Sequence, residues 1–240
     1  KVILPVHYTG KLCDIHRILE IADQHGVIVV EDAAQSFGSH LNGDRAGSFG
    51  YVNCFSMNPM KVFNAYGEAG MVVTDDPELR DRLASLRYAG TINREDCHFP
   101  SLNGRIDTIQ AAMLLVNLRY LDEKTSRRRA HADFYSQALG EVAICPKEEP
   151  DAYNVYYTYS IIVEQRDQLV EHLTSRGIET KVHHPILMPY HTAYAETLPK
   201  PNIPVAEHLV QRILSIPANE TITMEQAEYV ATTIKEFYQR

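Results

Sequence analysis

The sequence predicts an α/β layered domain followed by a smaller α+β domain, and three observations carry that expectation. Apolar strand-like runs alternate with helix-period segments through the first half. The run Val27–Val30 is continuous and β-branched, as expected of a parallel-sheet strand buried on both faces. After Pro146–Pro150 the texture changes to short strands and helices punctuated by prolines. Taken in order, Val2–Val6 is a short strand. Asp14 can cap a helix carrying Ile15, Ile18, Leu19 and Ala22 on one face and stopping at Gly26. Val52–Ser56 and Gly70–Thr74 are the next strands, and Asp75-Asp76-Pro77 opens a helix through Leu79, Leu83 and Leu86. A long helical pattern from Arg105 to Leu139 is broken near Tyr120–Thr125. Beyond it come a strand at Tyr156–Val163, a helix at Asp167–Arg176 and a strand at Ile178–His183. Helices at Val205–Leu214 and Thr223–Phe237 follow, the last with a capping box in Thr223 and Gln226. The boundary is drawn at 125/126, giving domains 1–125 and 126–240.

Composition narrows the function. The 240 residues are 45% hydrophobic and 22% charged, proportions that can build a globular core. Net charge is −8 and the 23 Lys plus Arg are dispersed, which speaks against nucleic acid and anionic membranes as partners. The longest aliphatic run, Val27–Val30, is far short of the roughly 20 residues of a membrane span. Cys13, Cys54, Cys97 and Cys145 form no CxxC pair, so a zinc knuckle or dense disulfide framework is not expected, and a cytoplasmic location is. His183, His184 and His191 have a spacing that fits no common metal site, so no metal is expected. The chain opens on Lys1-Val2-Ile3-Leu4, strand-like from its first residue, which predicts a chain entered in mid-fold.

Two positions invite chemistry. Asp32 follows directly on a buried strand and so stands at a strand's carboxyl end, where open α/β sheets bind ligands. The alternative is that Asp32 only caps a short helix. In Glu31-Asp32-Ala33-Ala34-Gln35 the two small residues admit a flat ligand that an acid and an amide could hold. Ser56 closes another strand, and a five-residue loop returns Lys61 to the same sheet edge. A lysine there is a solvated surface residue unless it sits by a buried acid, where it can act as an amine nucleophile.

The strings EDAAQ, GSFG (Gly47–Gly50), CFSMNPMK and GEAGMVVTDD together resemble the DegT/StrS-type (DegT/DnrJ/EryC/StrS) sugar aminotransferases. The likeness continues through Leu102–Asp107, Gln110-Ala111-Ala112, Val182–Pro185, Pro204–Glu207 and Leu214–Pro217. It implies a pyridoxal-phosphate enzyme of fold type I, with a mainly parallel sheet in a partial large domain and a small carboxyl-terminal domain. By that resemblance Lys61 is the Schiff-base lysine, Asp32 the partner of the protonated pyridine nitrogen, Gln35 the amide near the ring hydroxyl and Ser56 a phosphate ligand. Asn103 would reach the phosphate of a neighbouring subunit's cofactor, with Arg105 nearby, which implies a homodimer with shared sites. Arg105 and His183 are candidate substrate contacts, the alternative for His183 being a loop-packing histidine. The implied reaction is transamination of a keto-sugar, nucleotide-linked or free, with glutamate or glutamine as donor; a non-catalytic or regulatory relative is the alternative. Relatives with His in place of the lysine dehydrate sugars, and Lys61 argues against that branch. The family's large domain begins well before the match to Lys1, so a Gly-rich phosphate loop and a stacking aromatic are expected to precede it. Ala69 and His184 depart from the family's usual glycine and tyrosine.

Overall fold

The computed structural model describes residues 1–195, 197, 199 and 201–239. Strand β1 (Val2–Ile3) pairs in parallel with β2 (Ile28–Asp32), and α1 (Ile15–Gln24) is the crossover between them. Asp14 begins α1 by accepting the backbone N–H of Arg17, and Gly26 ends the segment at a φ of 58°, a conformation that glycine tolerates. The ladder of β1 is shorter than the expected Val2–Val6 because Pro5 has no N–H to give. Its carbonyl still accepts the N–H of Asp32, and pairing resumes at a Val6–Asp32 bridge.

Beyond the hairpin β3 (His40–Leu41) and β4 (Asp44–Arg45) lie β5 (Val52–Ser56) and β6 (Gly70–Val73). The main sheet has the order β1-β2-β5-β6. Its first three strands are parallel and β6 runs antiparallel to β5. The prediction that the Val27–Val30 run is buried on both faces does not hold. In β2, Val29 and Glu31 are buried while Ile28 is 44% exposed, an alternation of one covered and one open face. Val29 packs with Ile15, Ala22, Ala33 and Ala46.

Helix α2 (Pro77–Arg87) starts where Asp76 accepts the N–H groups of Glu78 and Leu79, with Pro77 at its first position. A small hairpin, β7 (Thr91–Ile92) and β8 (Asp96–Cys97), precedes α3 (Thr108–Leu118) and α4 (Leu121–Leu139), so the long helical pattern breaks at Arg119-Tyr120. Strand β9 (Ala152–Tyr153) adds to β3. Contacts divide the chain into one unit of Lys1–Thr125 with Glu148–Tyr157, and a second of Ser126–Lys147 with the chain from Thr158 onward. A single cut at 125/126 therefore misses the return of 148–157 to the first unit.

The second unit is built on β10 (Tyr159–Ile162), α5 (Arg166–Thr174), α6 (Thr192–Ala195), α7 (Pro204–Val210), β11 (Ile213–Ile216) and α8 (Met224–Tyr238). β10 and β11 pair antiparallel, and Tyr135, Leu139, Tyr159, Ile161, Leu169, Leu173, Leu214 and Ile234 are fully buried. Thr223 and Gln226 form the capping box of α8. Two expectations fail here. The helix predicted to Leu214 ends at Val210, because Ile213 and Leu214 are taken up in a ladder with β10. The strand predicted at Ile178–His183 reduces to one bridge, Lys181 to Ser215. Arg128 of α4 is only 7% exposed and pairs with Glu220 at 2.6 Å.

Candidate active site

Asp32 is the last residue of β2, and Cys54 on β5 stands beside it in register. No helix follows it, so the capping alternative falls away: its Oδ1 accepts the N–H of Ala34 at 3.0 Å and turns the chain instead. The residue before it explains much of the local architecture. Glu31 is fully buried, and its carboxylate accepts the backbone N–H groups of Gly47 (2.8 Å), Phe49 (2.7 Å) and Gly50 (2.8 Å). The fully buried His7 lies against the same carboxylate, Nε2 to Oε2 at 2.7 Å. Burial raises the Glu31 pKa, but His7 and the three amides outweigh it and hold the carboxyl below its ordinary value. Burial also opposes charge on His7, whereas its hydrogen bonds with Cys13 and Glu31 prevail and lift it to about 9. The EDAAQ and GSFG strings are thus two sides of one clamp.

Lys61 stands on a loop held from several directions. Asn58 makes the turn: its Oδ1 accepts the N–H of Met60 (2.9 Å) and its carbonyl that of Lys61 (2.9 Å). Its amide donates to Glu68 at 2.6 Å, and Met57 N–H donates to the Ala69 carbonyl at 2.8 Å, tying the lysine loop to the turn before β6. From α3, Gln110 Oε1 accepts the N–H of Tyr66 and Asn117 donates to the Asn64 carbonyl. Val62 and Phe63 are buried, and Phe63 stacks on Phe37 with centroids 4.4 Å apart. Lys61 itself is half-buried with Nζ 4.6 Å above the ring of Tyr157. Burial pushes its amine below the usual lysine range, and the charge of Asp32 pulls the other way. Cys54 titrates above its ordinary value through burial and the same carboxylate.

Gln35 accepts the N–H of Thr9 through Oε1 at 2.7 Å, so its amide N–H₂ is the group left to meet a ligand. Ser56 ends β5 with its hydroxyl 3.4 Å from the N–H of Asn58. Asp32, Lys61, Gln35 and Ser56 thus occupy the carboxyl ends of β2 and β5 and the loops that leave them. Asn103 and Arg105 form a separate exposed pair. Arg105 Nε donates to Asn103 Oδ1 at 2.8 Å and its guanidinium lies 4.0 Å over Tyr88. His183 belongs to the second unit, its ring beside that of His184.

Glu31, His7, Tyr8 and Tyr157 escape sequence reasoning. Tyr157 in particular reads as one of several strand tyrosines. No local signal marks a residue that meets Lys61 across such a separation.

The chain belongs to the DegT/DnrJ/EryC1/StrS aminotransferase family, whose family model matches residues 1–235. It is 37% identical over 243 residues to a dTDP-3-amino-3,4,6-trideoxy-alpha-D-glucose transaminase of Streptomyces venezuelae, covering 100% of this chain and 64% of that protein. It is 36% identical to a pleiotropic regulatory protein of Geobacillus stearothermophilus, covering 99% of this chain and 65% of the relative. The crystal structure of S. venezuelae DesV in complex with a ketimine intermediate superimposes with a TM-score of 0.95 at 36% identity, covering 100% of this chain and 66% of that one. The chain therefore spans somewhat under two thirds of the length of the curated relatives it matches. No helix among the described residues is long and apolar enough to cross a membrane.

Proposed function

We propose that this chain works as a pyridoxal-phosphate-dependent aminotransferase that moves nitrogen from glutamate or glutamine to a keto-sugar, most simply a nucleotide-linked one. The observation that carries the reading is the placement of Lys61 near Asp32: an amine made easier to deprotonate by burial, within the field of a carboxylate at a strand's carboxyl end. The donor set fits the cofactor. Asp32 offers an anion for the pyridinium nitrogen, and Gln35 an N–H donor for the ring oxygen. Ser56 offers a hydroxyl for the phosphate, and Lys61 a primary amine for the carbonyl carbon. When bound, pyridoxal phosphate supplies an electron sink that lets a proton leave one carbon and return at another.

The chain's own residues do the rest. Lys61, neutral when its proton is lost, takes a proton from the α-carbon of the amino donor and returns it as the acid. Asp32 would hold the cofactor by its ring nitrogen, and a carboxylate there would favour the protonated ring on which the sink depends. The Asn58 turn and its Glu68 bond fix the backbone from which Lys61 projects. Asn103 and Arg105, hydrogen-bonded to each other and exposed, would serve a second copy's phosphate in a homodimer. His183 and Arg105 are the candidate sugar contacts, in a cytoplasmic enzyme.

The name of the Geobacillus relative favours a second reading, a regulatory protein of the same fold. An amine tuned by burial beside a carboxylate favours catalysis, because a drifting, non-catalytic site has no use for it. Borohydride reduction of the cofactor-loaded protein followed by peptide mass mapping should place a phosphopyridoxyl group on Lys61. An adduct on Lys11 or Lys124 instead, or none at all, refutes the assignment.

A further inference from the structure

The aromatic ring against Lys61 comes from a segment that the chain brings back at some structural cost. Residues 148–157 leave the course of the second unit and return to the first. There Val155 N–H donates to the Gly10 carbonyl at 3.1 Å, and Ser39 Oγ donates to that carbonyl at 2.7 Å while lying 3.3 Å from the Val155 N–H. Tyr156 takes a φ of 47°, which a bulky side chain adopts only when its surroundings over-determine it. The contact is close enough to require glycine at position 10. A Cβ there would lie 2.7 Å from Tyr157 N and 2.9 Å from Tyr156 N, at a φ of 91°. Strain and close approach together deliver one side chain, Tyr157, under the ammonium of Lys61 at 4.6 Å.

We propose that Tyr157 is a positioning residue for Lys61: its ring face holds the ammonium in the cleft and so sets the pH at which that amine becomes a base. This rests on the aminotransferase reading for its purpose, but not for its physics. A ring quadrupole stabilises the charged form only, so Tyr157 works with Asp32 and against burial. The groups that bear on Lys61 are Asp32 from β2 and Tyr157 from the returning segment. Tyr8, from the turn at Tyr8–Gly10, faces Tyr157 in its turn, and burial followed by that neighbour keeps its phenol protonated beyond the ordinary range. Tyr8 therefore adds no negative charge near neutral pH, and what Lys61 meets is the ring face of Tyr157. A lysine left without it would lose its proton earlier and sample more of its rotamers.

The test uses the full chain without added cofactor. Competitive acetylation with acetic anhydride across the alkaline range, read at Lys61 by peptide mass spectrometry, gives the midpoint for loss of its proton, with exposed Lys181 as internal reference. Tyr157→Phe keeps the ring and should leave the Lys61 midpoint where it is. Tyr157→Leu removes the ring and should lower it by about 0.4 to 1.5 pH units, the range of a cation–π contact converted at 1.36 kcal/mol per unit. If circular dichroism shows that the leucine variant does not fold, Tyr157→Met takes its place with the same expectation. An unmoved or raised midpoint in the ring-less variant, or an equal fall in Tyr157→Phe, overturns the proposal. Borohydride mapping of the wild type with pyridoxal phosphate separates the two readings. An adduct on Lys61 with an unmoved midpoint sinks the role of Tyr157 alone. A moved midpoint without an adduct sinks the aminotransferase reading and leaves Tyr157 standing.

Discussion

Glu31→Gln should destabilise the protein far more than an isosteric change of one atom suggests. The two carboxylate oxygens divide four donors: Oε1 takes Phe49 and Gly50, and Oε2 takes Gly47 and His7. An amide can serve only one pair, since its N–H₂ must face the other. If the N–H₂ turns toward Phe49 and Gly50, two buried amides lose their acceptor. If it turns toward Gly47 and His7, Gly47 N–H stays orphaned, and the imidazole can accept at Nε2 only by protonating Nδ1, which now accepts the Cys13 N–H. Each orphaned buried donor costs about 1–3 kcal/mol, and removing one partner of a buried ion pair costs about 3–5 kcal/mol. The two figures describe the same loss, so about 3–5 kcal/mol is the expectation. Followed by circular dichroism, that is a fall of roughly 6–20 °C in thermal midpoint for a chain of this length. Faster amide exchange confined to residues 45–51 should accompany it. The pH profile carries a sign as well. Glu31, lowered from 4.5, contributes above that pH and loses its contribution as pH falls through its folded value. His7, raised from 6.5 to about 9, contributes fully below 6.5 and loses its contribution as pH rises toward 9. The gap between wild type and Glu31→Gln should therefore be widest between pH 4.5 and 6.5 and narrow on both sides. A loss below about 1 kcal/mol at pH 6, or a gap that ignores pH, would show that Glu31 is not the clamp.

Asp32→Asn should leave the fold intact, because an amide oxygen can still accept the N–H of Ala34, yet cut turnover by roughly 10²–10³-fold or more. Near-normal turnover would reduce Asp32 to a turn former. Mixing Lys61→Ala with Asn103→Ala subunits should restore about a quarter of wild-type activity, since half the dimers are then mixed and each holds one intact site. Proven subunit exchange without recovery would mean that the sites are self-contained.

Much of this fold is legible in short-range chemistry. The Asp14, Asp76 and Thr223 caps fix three helix starts, each with its acceptor where the spacing requires it. The failures have a common cause: a segment whose local preference is outvoted by a partner distant in sequence. Ile213 and Leu214 extend a helical pattern in isolation and become strand only because β10 offers a ladder. Val27–Val30 reads as doubly buried, yet the open face at Ile28 depends on what the other elements cover. The return of 148–157 leaves no local mark, since Gly10 and Ser39, the residues that receive it, lie more than a hundred positions earlier.

For the site, the same physics separates what a motif can tell from what it cannot. Residue type and strand position are enough to single out Asp32 and Lys61, because a carboxylate at a strand's end and an amine on the next loop are already chemically suggestive. They are not enough to assign Glu31, which in the sequence is only the other acid of a pair. Burial decides between the neighbours. Alternation along β2 turns Glu31 inward, where a charge survives only with several donors, and the amides of 47–50 and His7 meet that demand. The same alternation turns Asp32 to the opposite face, half-buried beside Cys54 and within the field of Lys61. One acid holds the loop and the other faces Lys61 across the strand ends; a one-residue slip in the register of β2 would exchange them.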